Sequence, residues 1–254
     1  MKPYRLYIFD LDGVIYRGGE PISGASSALE RIRSGGAAVR FLTNNSAQTR
    51  AAFADKLRGL GFAAEPEEVF SSAYGAARHV APGSAFVVGE PGLKAELEGA
   101  GARVVEEGGA DWVAVGICRG LTYDLIDEAQ WRIRRGARFL ATNIDSTYPD
   151  EGGRLRPGAG SVVAAVAEAA GRRPEITIGK PEPALALMIL EDSGISLNET
   201  LLVGDRPDTD IECARRVGCD SALVLTGVTS RADAARAVPK PTYVLDSVAG
   251  LAAE

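Results

Sequence analysis

A chain of 254 residues is long enough for one large core or two modest ones, since domains usually run to roughly 100–200 residues. It is 46% hydrophobic and 24% charged, as a globular protein with a buried core should be, and its formal charge of −6 argues against a surface that coats nucleic acid and for a small-molecule partner. No apolar run approaches the ~18 residues of a membrane span, Met1 leads into Tyr4–Phe9 without a signal-peptide pattern, and Cys118, Cys213 and Cys219 form no CxxC pair; a cytoplasmic protein without disulfides, structural zinc or membrane attachment is expected.

Short β-branched or aromatic runs alternate with longer Ala-rich amphipathic stretches, which predicts an α/β fold around a largely parallel sheet. The first predicted strand, Leu6–Phe9, runs into Asp10-Leu11-Asp12-Gly13-Val14. Two carboxylates at the end of an apolar strand repel each other and are costly to bury. A bound cation resolves this, and Mg²⁺ suits the place because it takes hard oxygen ligands and keeps positions open for water and a phosphate oxygen. Taken alone, the segment also fits an acidic turn facing solvent. The second strand, Val39–Leu42, leads to Thr43-Asn44-Asn45-Ser46, whose hydroxyl, amide and backbone donors suit phosphate oxygens at a helix start. An N-cap alone explains Ser46 or Thr49 but not the whole run. The single histidine, His79, falls in a helical stretch, which leaves acid–base chemistry to carboxylates.

From about residue 80 to residue 177 a second series of the same kind follows, with strands near Ala85–Val88, Trp112–Val115 and Phe139–Ala141 and helices near Leu93–Gly99, Tyr123–Arg135 and Ser161–Ala170. It reads as an insert (80–177) within a core made of 1–79 and 178–254, with Gly152–Gly160 as a loop and Trp112 and Trp131 as core residues. Beyond it, strand Glu175–Ile178 meets Gly179-Lys180-Pro181, where glycine frees the backbone, Pro181 begins a helix and Lys180 points to the rim. A lysine fixed opposite several carboxylates neutralises a nucleophile and a phosphoryl group. Strand Leu201–Val203 opens into a second acidic loop, Gly204-Asp205-Arg206-Pro207-Asp208-Thr209-Asp210. There Asp205 completes the metal site, Asp210 orients a metal-bound water or holds Lys180, and Asp208 caps the following helix. With the last strand, Ala222–Leu225, these junctions are predicted to share the rim formed by the strands' carboxyl ends.

Asp-x-Asp-Gly, Thr-Asn-Asn, Gly-Lys-Pro and Gly-Asp-x-x-x-Thr-Asp, in this order, resemble the four motifs of the haloacid dehalogenase (HAD) superfamily. Asp12-Gly13-Val14-Ile15-Tyr16, the insert between the second and third motifs, and Leu225-Thr226-Gly227-Val228 resemble its p-nitrophenyl phosphatase and NagD subgroup. The resemblance implies a Rossmann-like core, an inserted α/β cap of the C2a type over the leaving group, and often a homodimer through the cap. It further implies a Mg²⁺-dependent phosphatase of small phosphorylated metabolites. Asp10 would be the nucleophile that forms an aspartyl-phosphate, and Asp12 the general acid and then base, its carbonyl also on the metal. Thr43 and Asn44, with Asn45 beside them, would hold the phosphoryl group, Lys180 would balance its charge, and Asp205 would be the remaining metal ligand.

The cap departs from the subgroup's Gly-x-Asp-x-x-Phe-x-Tyr pattern, with Cys118 and Leu121 in place of the Asp and Phe. Ala141-Thr142-Asn143-Ile144-Asp145 matches the usual run, and Tyr148 stands where pyridoxal phosphate phosphatase carries a His before Pro. Ile117, Asn143, Asp145 and Tyr148 are the expected cap contacts to the leaving group. A non-catalytic protein of the same fold that binds a phosphometabolite predicts defects in the four motifs, and none is present. A phospho-acceptor signalling domain would be near half this length, and the position of the insert argues against a dehalogenase or a sugar phosphomutase.

Overall fold

The structure, a computed structural model, describes residues 1–149 and 154–252; Gly152 and Gly153 of the glycine-rich stretch lie outside the described residues. The chain forms two compact units, one made of Met1–Thr43, Ala54–Phe70 and Lys180–Glu254, the other of Asn44–Phe53 and Ser71–Gly179.

The first unit is built on a sheet of six strands in the order Tyr243–Leu245, Asp220–Val224, Thr200–Gly204, Leu6–Phe9, Ala38–Thr43, Val69–Ser71. Leu6–Phe9 lies parallel between Thr200–Gly204 and Ala38–Thr43, with Phe9 opposite Val203 and Phe41. All four residues of Leu6–Phe9 are buried, as a central strand covered on both faces requires. That register brings Asp10, Gly204 and Thr43 to the same edge, and the Asp10 N–H donates to Val203 O at 2.9 Å. The helix Ala25–Ser34 buries Ala25, Ala28, Leu29 and Ile32, at the three- and four-residue steps of one helical face.

The second unit has its own parallel sheet, in the order Ile176–Thr177, Arg138–Ala141, Trp112–Val115, Ser84–Val88, Arg103–Val104. Alternate residues Phe86, Val88, Val113, Val115, Phe139 and Ala141 share a core with Ala129 and Ile133 of helix Tyr123–Arg134 and Val162, Val163 and Val166 of helix Ala159–Ala170. Each large side chain buried in this way stabilises the fold by about 1.5–3 kcal/mol before entropy is counted.

Three expectations are corrected. Glu175–Ile178 is not a strand of the first sheet: Ile176–Thr177 pairs with Arg138–Ala141 in the second unit, because a β-branched pair announces a strand without naming its partner. Helix Ser72–Val80 packs on helix Pro91–Gly99 and so belongs to the second unit, whose first long segment begins at Ser71 rather than near residue 80. Trp131 is 42% exposed, with the Arg135 guanidinium over its ring at 4.8 Å, whereas Trp112 is buried as expected. Among the described residues, no helix is long and apolar enough to cross a membrane.

Candidate active site

Asp10 follows the central strand of the first unit, and Asp205 follows its neighbour Thr200–Gly204. Asp210 lies five residues further, in the π-helical turn Pro207–Ile211. One carboxylate oxygen of each lies within 4.8 Å of the others. Lys180 Nζ reaches Asp10 Oδ1 at 2.7 Å and Asp210 Oδ1 at 2.6 Å. The other Asp210 oxygen accepts the Arg206 N–H at 3.0 Å, and Asp205 Oδ2 accepts the Val228 N–H at 2.8 Å. Asp210 therefore holds the lysine, one of the two duties expected of it.

Burial is the largest influence on these groups, disfavouring whichever form is charged. It raises Asp10 well above the usual carboxylate range; Lys180 opposes the rise, while Asp210 and Asp205 add to it. Burial, then repulsion from Asp210, pushes Asp205 up to about 6. For Lys180 burial acts downward and is outweighed by Asp10 and Asp210, so its pKa is raised and the ammonium is kept. Asp12 is exposed, yet the surrounding protein still raises its pKa, with Lys56 and then Lys180 pulling it back. Three carboxylates set against one lysine leave negative charge in excess, and the all-oxygen donor set suits a hard divalent cation.

The glycines explain how the carboxylates come so close. A Cβ on Gly204 would run into Asp210, and one on Gly227 would run into Asp205. Gly13 has φ +79°, and its Cβ would sit 2.8 Å from Asp205 Oδ2 and from Gly227 Cα. Thr226 Oγ1 donates to Gly13 O at 2.6 Å, closing the same turn.

Among the remaining expected residues, Thr43 is the buried last residue of strand Ala38–Thr43, in the first unit. Asn44 and Asn45 open the second unit's first segment. The helix beyond them starts only at Arg50, with the Ala52 N–H donating to Thr49 Oγ1 at 3.2 Å, so the run is not at a helix start and Thr49 is the cap. Asn45 Oδ1 accepts the Ala47 N–H at 2.8 Å. Asn44 Nδ2 donates to Asp145 Oδ2 at 3.0 Å, and Asn143 Nδ2 donates to Asn44 O at 2.7 Å. Of the four expected leaving-group contacts, Ile117 and Asn143 are buried, Asp145 holds Asn44, and Tyr148 hydrogen-bonds Arg119, which also pairs with Glu90 at 3.2 Å.

Two motif details differ from expectation. Pro181 does not begin the next helix, which spans Ala184–Ser193 after Pro183. Asp208 is not the N-cap of the following helix: it pairs with Arg206 at 2.9 Å in the turn that leads into helix Glu212–Val217, whose N-cap is Ile211. His79 is exposed at the edge of Trp112, and burial pushes Cys213 and Cys219 up to about 12, as befits packing residues.

Residues 7–103 match the family model of the haloacid dehalogenase-like hydrolases, and residues 177–251 match a HAD-hydrolase-like model. The 5'-nucleotidase YutF of Bacillus subtilis is 38% identical over 98% of this chain and 97% of its own. The chain belongs to the haloacid dehalogenase-like hydrolases. Within them it falls in the NagD and p-nitrophenyl phosphatase branch and is a phosphoric monoester hydrolase. A p-nitrophenyl phosphatase from Archaeoglobus fulgidus superposes with a TM-score of 0.93 at 31% identity, covering 99% of each chain. A glycerol phosphate phosphatase from Mycobacterium tuberculosis, solved in complex with magnesium, superposes with a TM-score of 0.90 at 37% identity, over 99% of this chain and 78% of that one.

In this HAD-like hydrolase, sequence reading missed Lys56, whose Nζ lies 3.7 Å from the centre of the Tyr16 ring and whose charge acts on Asp12. It sits mid-helix in Arg50–Gly59 with nothing local to mark it. Gly227 was noted only as part of a signature, since its closeness to Asp205 is a long-range fact.

Proposed function

We propose that this hydrolase cleaves small phosphate monoesters with Mg²⁺ by way of a phosphoryl group carried on Asp10. The observation that supports this most is the buried Asp10–Lys180–Asp210 pairing with Asp205 beside it, at the carboxyl ends of two adjacent parallel strands. The Asp10 and Asp205 carboxylates, with the Asp12 carbonyl, would hold the cation; Asp210, engaged by Lys180 and Arg206, would keep the set in place. When bound, Mg²⁺ offsets the charge on the phosphoryl oxygens and on the nucleophile.

Asp10 attacks phosphorus as the bond to the ester oxygen breaks, and Asp12 gives its proton to that oxygen. The raised pKa of Asp12 favours the protonated form this step needs. Asp12 then takes a proton from water, which attacks phosphorus as the bond to Asp10 breaks, releasing inorganic phosphate. Lys180 compensates charge on Asp10 throughout, and Thr43, Asn44 and Asn45 orient the phosphoryl oxygens. The second unit would act as the cap that selects the leaving group. A homodimer through that cap, which the family resemblance implies, and a cytoplasmic setting complete the proposal.

The names of the relatives differ in the group beyond the phosphate, so the test is a panel: p-nitrophenyl phosphate, glycerol phosphate, phosphoglycolate, a sugar phosphate, pyridoxal phosphate and a nucleoside monophosphate. Phosphate release is expected with Mg²⁺, lost with EDTA and absent in Asp10→Asn. Release that survives in Asp10→Asn would refute the nucleophile.

A further inference from the structure

We propose that Asp145 and Asn143 are positioning residues that clamp Asn44, rather than contacts to the leaving group. The inference rests on the phosphatase reading above and changes what these two residues do in it.

All the groups concerned lie within the second unit. Asn44 is held at both ends: its side-chain amide donates to the Asp145 carboxylate at 3.0 Å, and its carbonyl accepts from Asn143 Nδ2 at 2.7 Å and from Ser72 Oγ at 2.5 Å. Asn143 Oδ1 in turn accepts the Asp145 N–H at 3.1 Å, so the two residues brace each other. The glycine-rich stretch fixes the Asp145 backbone. The Gly160 N–H donates to Asp145 O at 2.9 Å, while the Gly158 N–H and Ser161 Oγ donate to Ser146 O at 2.8 and 2.9 Å. Gly179 closes the remaining side, for a Cβ there would stand 2.5 Å from Asn44 Oδ1 and 2.9 Å from Asn143 Cβ. Its φ is not in the left-handed region, so glycine at this position serves close approach and not backbone freedom.

Asn143 is buried and both ends of its amide are engaged inside the protein, a poor state from which to read a substrate. A carboxylate accepting from an amide makes a stronger hydrogen bond than a neutral acceptor. Spending it on Asn44 locks one rotamer of a residue next to Thr43, where a small misplacement of the phosphoryl group is costly.

The test is steady-state kinetics of Asp145→Ala, Asn143→Ala and Asp145→Asn on p-nitrophenyl phosphate, glycerol phosphate and a nucleoside monophosphate, with inhibition by inorganic phosphate and thermal unfolding measured alongside. Both alanine variants are expected to lower kcat/KM by a similar factor on every ester, about 10- to 100-fold, and to weaken inhibition by phosphate. Asp145→Asn keeps an acceptor for Asn44 and is expected to recover most of the loss, which a merely structural defect at Asp145 would not predict. A changed ranking of the esters with phosphate inhibition intact would overturn the clamp and restore a leaving-group role. Should the wild type release phosphate from no ester, the phosphatase reading fails by itself. The clamp is then judged on phosphate affinity alone, and equal affinity in wild type and Asp145→Ala overturns it.

Discussion

Lys180 holds two carboxylates at once while only 3% of its side chain is exposed. Removing one partner from a buried ion pair leaves a charge without compensation and typically costs about 3–5 kcal/mol. Lys180→Met strands Asp10 and Asp210 together, so it should lower the unfolding free energy by roughly that amount and abolish activity. Asp10→Asn works the other way: it keeps the Lys180–Asp210 pair and removes one negative charge from a crowded cluster. Its thermal midpoint in EDTA is therefore expected at or above that of the wild type, with activity gone. Urea titrations of the two variants separate these outcomes. Equal destabilisation of both would mean that the carboxylates, and not the lysine, hold this part of the fold.

At the scale of elements, the acidic loop after Thr200–Gly204 folds back on its own strand because Gly204 has no side chain to obstruct Asp210. Asp210 cannot give way, being held by Lys180 and by the Arg206 N–H. Gly204→Ala should cost about 1–3 kcal/mol by overpacking, measured as a lower thermal midpoint, together with most of the activity. Gly59→Ala, at a helix end where a Cβ meets nothing within 4 Å, is the matched control and should be neutral or slightly stabilising. A Gly204→Ala enzyme as stable as this control would refute the close-approach argument. The contrast also marks what the sequence could tell. Leu6–Phe9, Trp112–Val115 and the helix near Tyr123 were legible to within a residue, because burial of a local apolar run imposes its own periodicity. Which sheet Ile176–Thr177 joins was not, since pairing is decided by the partner strand. The same limit hid Lys56, and it disguised Gly179, whose glycine is demanded by side chains 135 and 36 residues away in sequence, Asn44 and Asn143. Exposed Trp131 misled for another reason: a helix's apolar stripe tolerates an aromatic at its margin when arginines cover the ring.

On the scale of the whole molecule, a formal charge of −6 is compounded by carboxylates gathered in one buried place, so protons and cations should compete to stabilise the same fold. Burial and Asp210 push Asp205 up to about 6, and Asp10 is displaced in the same direction. A carboxyl with a raised pKa binds its proton more tightly in the folded chain than in the unfolded one. The stability it confers is present at low pH and is lost as pH climbs from about 4 through about 6. Without divalent metal, the thermal midpoint should therefore carry a downward contribution across that window. A cation held by the same oxygens replaces the missing proton and stabilises only the folded state, by mass action. The increment that Mg²⁺ adds to the midpoint should then be large at about pH 7.5 and small at about pH 5, where protons already occupy part of the site. Thermal scans with Mg²⁺ or EDTA at the two pH values read this directly, and Asp205→Asn should reduce the increment at the higher one. An increment of equal size at both pH values would place the bound cation away from these carboxylates.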